Sequence, residues 1–313
     1  MRWWYRALLA GRGHSLPALR EEEARIFGST ERASSVRMRV ANKRPNIQSH
    51  KKISKLGDRN SGTNYLWYFV KAGDNERYFI APRSTFQLVF TAFPEEGEAI
   101  EEAARALWLL SFLGGLGTRS RRMAGAFTVS VSSSSDALSL PTFTPSRGFD
   151  DWFRKELQRI VPSDTSPDPE LSRKGIPVLH SHYAQIRRLS SEKSWTHAVE
   201  KTGQQYKGYR GERSVKTQKK IHLGLPLADG RQGKKTVTVK SDGETLERRA
   251  SPIWLQSAKF ASGNVAALMT AFNSALAPPE VTVRARGNRA ETNPYAVASD
   301  FFDHIEARPS YLE

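Results

Sequence analysis

The feature of this sequence that most restricts its fold is a helix that runs into glycine. Residues 98–112 carry an apolar stripe, Ile100, Ala103, Ala104, Leu107, Trp108 and Leu110, at helical spacing. Glutamates gather near its start, where carboxylates suit the positive end of the helix dipole. The stripe stops at Gly114-Gly115-Leu116-Gly117. Thr118-Arg119-Ser120-Arg121-Arg122-Met123-Ala124-Gly125 follows, and the pattern over 126–131 then predicts a strand. Any fold for this chain must accommodate a helix, a basic glycine-rich loop over 114–125 and a strand, in that order.

The loop suits a phosphate. Gly115 and Gly117 let the backbone bend and approach a ligand closely. Successive exposed N–H groups can cup an anion. Arg119, Arg121 and Arg122 supply forked donors that match phosphate oxygens, and Ser120 adds a hydroxyl. The nucleotide loops of common type are absent: there is no G-x-x-x-x-G-K-[ST], and no G-x-G-x-x-G follows a strand. The blander alternative is a glycine helix stop with solvated arginines.

Charge favours the first reading. The chain carries 48 Lys+Arg against 32 Asp+Glu, a formal net charge of +16. The cations are segregated. Residues 32–60 hold Arg32, Arg37, Arg39, Lys43, Arg44, Lys51, Lys52, Lys55 and Arg59 against Asp58 alone, and residues 205–249 are also basic. A basic face calls for a polyanion, and nucleic acid is favoured over anionic lipid or an acidic protein.

Several function classes fall away. With no cysteine there is no disulfide, thiolate metal site, iron–sulfur cluster or cysteine nucleophile. His180-x-His182 is a close histidine pair without a carboxylate cluster, so it reads as packing and not as a metal site. No catalytic residue, metal or cofactor is expected. The longest apolar run, 106–118, is too short to cross a bilayer, and Met1-Arg2-Trp3-Trp4-Tyr5-Arg6 is not a secretory signal. A cytoplasmic protein without a membrane partner is expected.

The rest of the chain alternates short helices and strands. Helix is expected over 2–27, 150–160, 195–206 and 261–276. Strands are expected over 35–40, 65–70, 78–80, 85–92, 221–227, 236–240, 253–255 and 281–286, with another near Val178. Residues 41–62 and 162–177 read as loops. Residues 132–146, rich in Ser, Thr and Pro, read as a linker. The expected architecture is α+β, with domains at 1–150 and 151–313.

Helix, Gly-Gly-Leu-Gly-Thr-Arg-Ser-Arg-Arg, then strand resembles the glycine-rich loop of the RAMP superfamily of CRISPR proteins, in the wording of the first subunit of the type III-B Cmr effector complex. Three other stretches agree, in the same order. Arg2-Trp3-Trp4-Tyr5-Arg6-Ala7-Leu8, followed by Phe27-Gly28-Ser29, resembles the early Arg-aromatic helix and its turn. Gly224-Leu225-Pro226 and Arg248-Arg249-Ala250-Ser251-Pro252 resemble two later segments. Met123 stands where the family commonly has glycine. The family also places a strand and a Lys-Gly loop ahead of the Arg-Trp-Trp helix, so the first domain is expected to lack its opening strand.

The resemblance implies two packed ferredoxin-like (RRM-like) domains. It implies a non-catalytic subunit that holds the 3′ region of the CRISPR RNA (crRNA) and helps capture target RNA beside other Cmr RAMP subunits, in antiviral defence. The RNA-contacting set it suggests is Arg2, Trp3, Trp4, Arg6, Gly115, Gly117, Arg119, Ser120, Arg121, Arg122, Arg248 and Arg249. The alternative within the superfamily is an endoribonuclease that processes crRNA precursors, in which a histidine such as His14 or His50 would work near neutral pH.

Overall fold

A computed structural model of the chain describes residues 1–71, 76–132, 137–162, 164–212, 237–241, 244–246, 251–275, 282–285, 288–289 and 294–312. The helices are α1 (Arg2–Gly11), α2 (Leu16–Phe27), α3 (Gly62–Lys71), α4 (Gly97–Phe112), α5 (Phe149–Ile160), α6 (Pro169–Arg173), α7 (Trp195–Gly211) and α8 (Pro294–His304). The strands are β1 (Arg37–Arg44), β2 (Ile47–Ser49), β3 (Tyr78–Ile80), β4 (Thr85–Thr91), β5 (Ala184–Glu192), β6 (Val237–Ser241), β7 (Glu244–Leu246), β8 (Ile253–Lys259), β9 (Val265–Phe272), β10 (Thr282–Ala285) and β11 (Asn288–Arg289). They form small antiparallel sheets ordered β1–β4, β2–β3, β5–β9–β8 and β11–β10–β6–β7. The architecture is therefore mixed helix and sheet, as expected.

The three-stranded sheet β5–β9–β8 organises the core. Along β9, Ala266, Leu268 and Phe272 pack into one buried cluster, while Val265, Ala267, Met269 and Ala271 pack into another. That period of two is the signature of a strand covered on both faces. It explains why the mostly apolar stretch over 261–276 mimics a helix in sequence: both faces of β9 are buried, so its residues do not alternate between apolar and exposed polar. The first cluster draws on α1, α2, α4, α5 and Trp254 of β8, and so takes in residues on both sides of residue 150. The second takes Leu66 and Trp67 of α3, Tyr206 and Tyr209 of α7, Phe301 and Phe302 of α8, and Met123.

Other sequence expectations are corrected by particular contacts. The expected single helix over 2–27 is two. Gly13 takes φ 84°, Arg12 N–H caps α1 by donating to Leu8 and Leu9 carbonyls, and Pro17 opens α2, where its missing N–H costs nothing. The expected strand over 65–70 is α3. Residues 41–62 are not one loop, since β1 runs to Arg44 and β2 and a 3₁₀ turn at His50–Lys52 follow. Val178 lies outside any strand; Val178 and Leu179 are buried beside α1, with Leu179 N–H donating to the Ala7 carbonyl at 2.9 Å. The sheet strand begins six residues later, at Ala184. Residues 126–131 form no strand and join no ladder; Phe127 and Val129 lean on the first cluster instead. In the segment read as a linker, Thr142 accepts a hydrogen bond from Trp108 Nε1 at 3.0 Å through its carbonyl, and Phe143 is buried. The segment expected as a strand at 221–227 lies outside the described residues.

Helix α3 is fixed by an acid supplied from α7. The Glu200 carboxylate accepts from Gly62 N–H (3.1 Å), Thr63 N–H (3.1 Å), Ser61 Oγ (2.8 Å) and Thr63 Oγ1 (2.9 Å). It thus satisfies N–H groups that the start of a helix leaves open. The two helices touch backbone to backbone: a Cβ on Gly203 would stand 2.1 Å from the Gly62 carbonyl oxygen. Burial alone would raise the Glu200 pKa, but these hydrogen bonds outweigh it and hold the carboxyl at about 2, against an ordinary 4.5. A depressed pKa stabilises the fold above about pH 4.5 and the gain is lost as pH falls toward 2. Glu200→Ala is expected to cost about 2–3 kcal/mol at pH 7, since hydrogen bonds to a charged acceptor are the stronger kind. Thermal melts from pH 6 down to pH 3 should show the wild type losing its advantage over Glu200→Gln.

Candidate nucleic-acid interface

Helix α4 ends at Phe112 with Leu113 as its cap, and the chain turns against Trp4 of α1. A Cβ on Gly114 would lie 2.2 Å from Trp4 Nε1, and one on Gly115 would lie 2.8 Å from the Ala124 carbonyl oxygen. These two glycines are therefore demanded by packing. Gly117 differs: its φ is 81° and its surroundings are open, so the backbone shape alone requires it. Gly125 has both constraints, with φ 71° and the Leu116 carbonyl oxygen 1.8 Å from where a Cβ would be.

The loop closes on itself and then on the sheet. Leu116 N–H donates to the Gly125 carbonyl at 3.0 Å, and Arg122 N–H to the Arg119 carbonyl at 2.7 Å. Leu255 N–H donates to the Arg121 carbonyl (3.2 Å), and Met123 N–H to the Leu255 carbonyl (2.9 Å), which pins residue 122 alongside β8 as a parallel bridge. Arg119 and Met123 stand at φ 63° and 65°, a region that costs a non-glycine residue about 1–2 kcal/mol. Met123 takes the conformation that glycine takes easily and buries its side chain in the second cluster. That is how this chain tolerates methionine there.

The arginines have different duties. Arg121 donates to the Ser251 carbonyl and lies between two indoles, 4.5 Å from the Trp254 ring centre and 5.4 Å from that of Trp3. Arg122 donates to the Ile253 carbonyl at 3.3 Å and covers the Tyr206 ring at 5.2 Å. Both bind the loop to the body. Arg119 and Ser120 are half-buried at the turn, beside exposed Leu116, Gly117 and Thr118. Burial, then the charges of Arg122 and Arg77, lowers the Arg119 pKa below its ordinary value. A site that disfavours its own cation is one where an anion relieves repulsion.

The N-terminal residues divide likewise. Trp4 is 1% exposed and packs 5.2 Å from Trp254, so its ring is closed to a base, and the structure removes it from the stacking candidates. Trp3 is half-buried and, with Arg121, Pro177, Pro252 and Phe272, lines a cleft of about 140 Å³. Arg2 and Arg6 are exposed on one side of α1, both paired with Glu23, at 3.5 and 2.7 Å. Arg248 and Arg249, and Gly224-Leu225-Pro226, lie outside the described residues. The sequence reading overlooked Arg77, whose charge reaches Arg119 from the start of β3; no local pattern joins positions so far apart. Among the described residues no group of three metal-ligating side chains comes together, and no helix is long and apolar enough to cross a membrane.

The loop geometry yields a graded prediction. Gly125→Ala should lower the melting temperature sharply, because carbonyl backbone blocks the new methyl. Gly117→Ala should cost only about 1–2 kcal/mol of conformational strain. Equal losses in parallel thermal melts would show that packing around the loop is not as described.

Comparisons with known proteins converge. A family model described as the RAMP superfamily matches residues 1–128. The CRISPR system Cmr subunit Cmr1-1 of Pyrococcus furiosus is 28% identical over 265 residues, covering 81% of this chain and 72% of that protein. Cmr1-2 of the same organism is 32% identical over 155 residues, covering 42% of this chain and 79% of that protein. The crystal structure of apo Cmr1 from Pyrococcus furiosus matches with a TM-score of 0.62 at 24% identity, over 97% of this chain and 85% of that one. A chain of the type III-B Cmr-β complex bound to cognate target RNA and AMPPnP, in the presence of single-stranded DNA, matches with a TM-score of 0.55 at 11% identity, over 97% and 90%. The structural matches speak to fold, and the sequence matches to descent: the chain belongs to the RAMP superfamily, in the family of Cmr1 subunits.

Proposed function

We propose that this protein is a non-catalytic RNA-binding subunit of a type III-B Cmr effector complex. It works in the cytoplasm beside other RAMP subunits, holds the 3′ region of the crRNA and helps capture target RNA. Its relationship to the Pyrococcus furiosus Cmr subunits supports membership in such a complex, and a fold shared with a chain of a target-RNA-bound Cmr-β complex supports the RNA. We assign it two ferredoxin-like domains, 1–150 and 151–313. The RAMP match at 1–128 falls within the first, and each half contributes helices and antiparallel strands.

One observation carries the assignment to a surface. The loop is clamped onto β8 by backbone hydrogen bonds and by Arg121 and Arg122, and so presents Gly117, Thr118, Arg119 and Ser120 at a fixed turn beside the cleft of Trp3 and Arg121. Preorganised donors next to a half-buried cation suit a phosphate backbone. Trp3 offers the edge of the cleft to a base, and Arg2 and Arg6 extend the positive surface along α1. Sequence is then read by pairing between guide and target, and the protein needs only backbone and shape contacts, as in another RNA-guided system.

The test follows from the division of labour among the arginines. Alanine at Arg121 or Arg122 would loosen the loop as well as remove charge, and Arg6 is tied to Glu23 at 2.7 Å, so Arg119→Ala and Arg6→Ala are compared with the wild type at matched thermal stability. Fluorescence anisotropy with single-stranded RNA across a salt series should give a log–log slope lower by about 0.7 for each phosphate contact removed. Unchanged slopes in both variants, with the fold intact by circular dichroism, would contradict this placement. Site-specific cleavage of repeat RNA by the pure protein, without metal, would support the endoribonuclease reading instead.

A further inference from the structure

The basic stretch that follows residue 32 forms a structure of its own. Strands β1 and β2 run back against β4 and β3 as one bent antiparallel ribbon. Arg37 pairs with Thr91 at one end and Ser49 with Tyr78 at the other. The bend lies at Asn42 and Arg83, both at positive φ (45° and 69°), and is held by Asn46 N–H on Ser84 Oγ at 2.8 Å. Beyond the bend the ribbon is largely exposed. Ile47, Tyr78 and Ile80 are 63%, 66% and 71% exposed, and Ile47 and Ile80 face each other across the strands. Lys43, Arg44, Lys51 and Lys52 are exposed beside them. No acid occurs between residues 37 and 57, and on the returning strands Glu76 is the one acid over 76–91. Glu76 accepts from Ser49 Oγ at 2.6 Å and from Tyr78 Oη at 3.0 Å, which fixes the tyrosine ring, and stands 3.9 Å from Lys51 Nζ in an exposed ion pair.

A solvated edge strand explains the lysines but not the apolar platform among them. A polar-tethered aromatic flanked by cations matches the way single strands are held without regard to sequence, bases on the ring and phosphates on the charges. Arg77 immediately precedes β3 and adds a cation at the same end of the ribbon. We propose that the ribbon is a second contact surface for single-stranded RNA, with Tyr78 and the Ile47–Ile80 pair stacking under bases and Lys43, Arg44, Lys51 and Lys52 meeting phosphates. The proposal rests on the reading that this chain binds RNA, and it adds a second surface to the loop site.

The experiment is anisotropy of the full chain with fluorescein-labelled oligouridylate, across a salt series. Tyr78→Ala should weaken binding about tenfold, a stacking loss of typical size, and Tyr78→Trp should restore it. Changing Lys43, Arg44, Lys51 and Lys52 together to alanine should lower the salt slope by about 3. All five positions are exposed, and matching circular dichroism spectra would confirm the fold. Wild-type affinity and slope in these variants, alongside weakened binding by Arg119→Ala, would overturn the ribbon proposal and leave the loop site standing. Intact RNA affinity with lost capture of a neighbouring RAMP subunit would overturn it in favour of a protein contact. No binding by the wild type would remove the underlying reading and this one with it.

Discussion

The packing of Trp3 and Trp4 on Trp254 and Phe272 holds this structure together. Ring centres 4.6–5.9 Å apart join the first helix to the second and third strands of the β5–β9–β8 sheet. Such aromatic pairs add about 0.5–1.5 kcal/mol each beyond the area they bury. The glycine loop depends on this contact twice. Gly114 is bare because Trp4 Nε1 occupies the place of its side chain, and Arg121 rests between the indoles of Trp3 and Trp254. The loop is therefore shaped by the seam between residues near the start of the chain and strands near residue 260 as well as by its own glycines.

That dependence sets what the arginines do. A run of Arg, Ser, Arg, Arg in a glycine-rich loop reads as a uniform set of phosphate donors. In the fold it splits: Arg121 and Arg122 spend contacts on carbonyls and aromatic faces of the body, and Arg119 stands at the turn near two other cations. Arginine suits both roles, since its planar fork stacks on rings while still donating at its edge. Two tethered guanidiniums make a rigid loop, and a rigid loop can present backbone donors and one cation without reordering when an anion arrives.

Legibility followed chemistry that is local. The α4 stripe and the glycine stop were readable because period and burial coincide on one face; β1 and β4 were readable from alternation alone, for their paired strands bury neither face deeply. Four stretches of family wording pointed to the superfamily where propensity alone could not. What sequence hid is tertiary. Residues 65–70 are aromatic and strand-like, yet Glu200, far away in sequence, caps them into a helix. Within 261–276, β9 shows no polar–apolar alternation because both its faces are covered. Trp3 and Trp4 are indistinguishable as letters, and the fold buries one and leaves the other at a cleft.

The central claim is that RNA lies across the glycine loop and the cleft beside it. Photocrosslinking reports position directly and does not rely on affinity. The full chain, loaded with 4-thiouridine-substituted RNA, would be irradiated, digested and sequenced by mass spectrometry. The account predicts adducts in peptides carrying Trp3 and residues 115–122. Recovery of those peptides unmodified, with adducts confined to other segments of the chain, would contradict it.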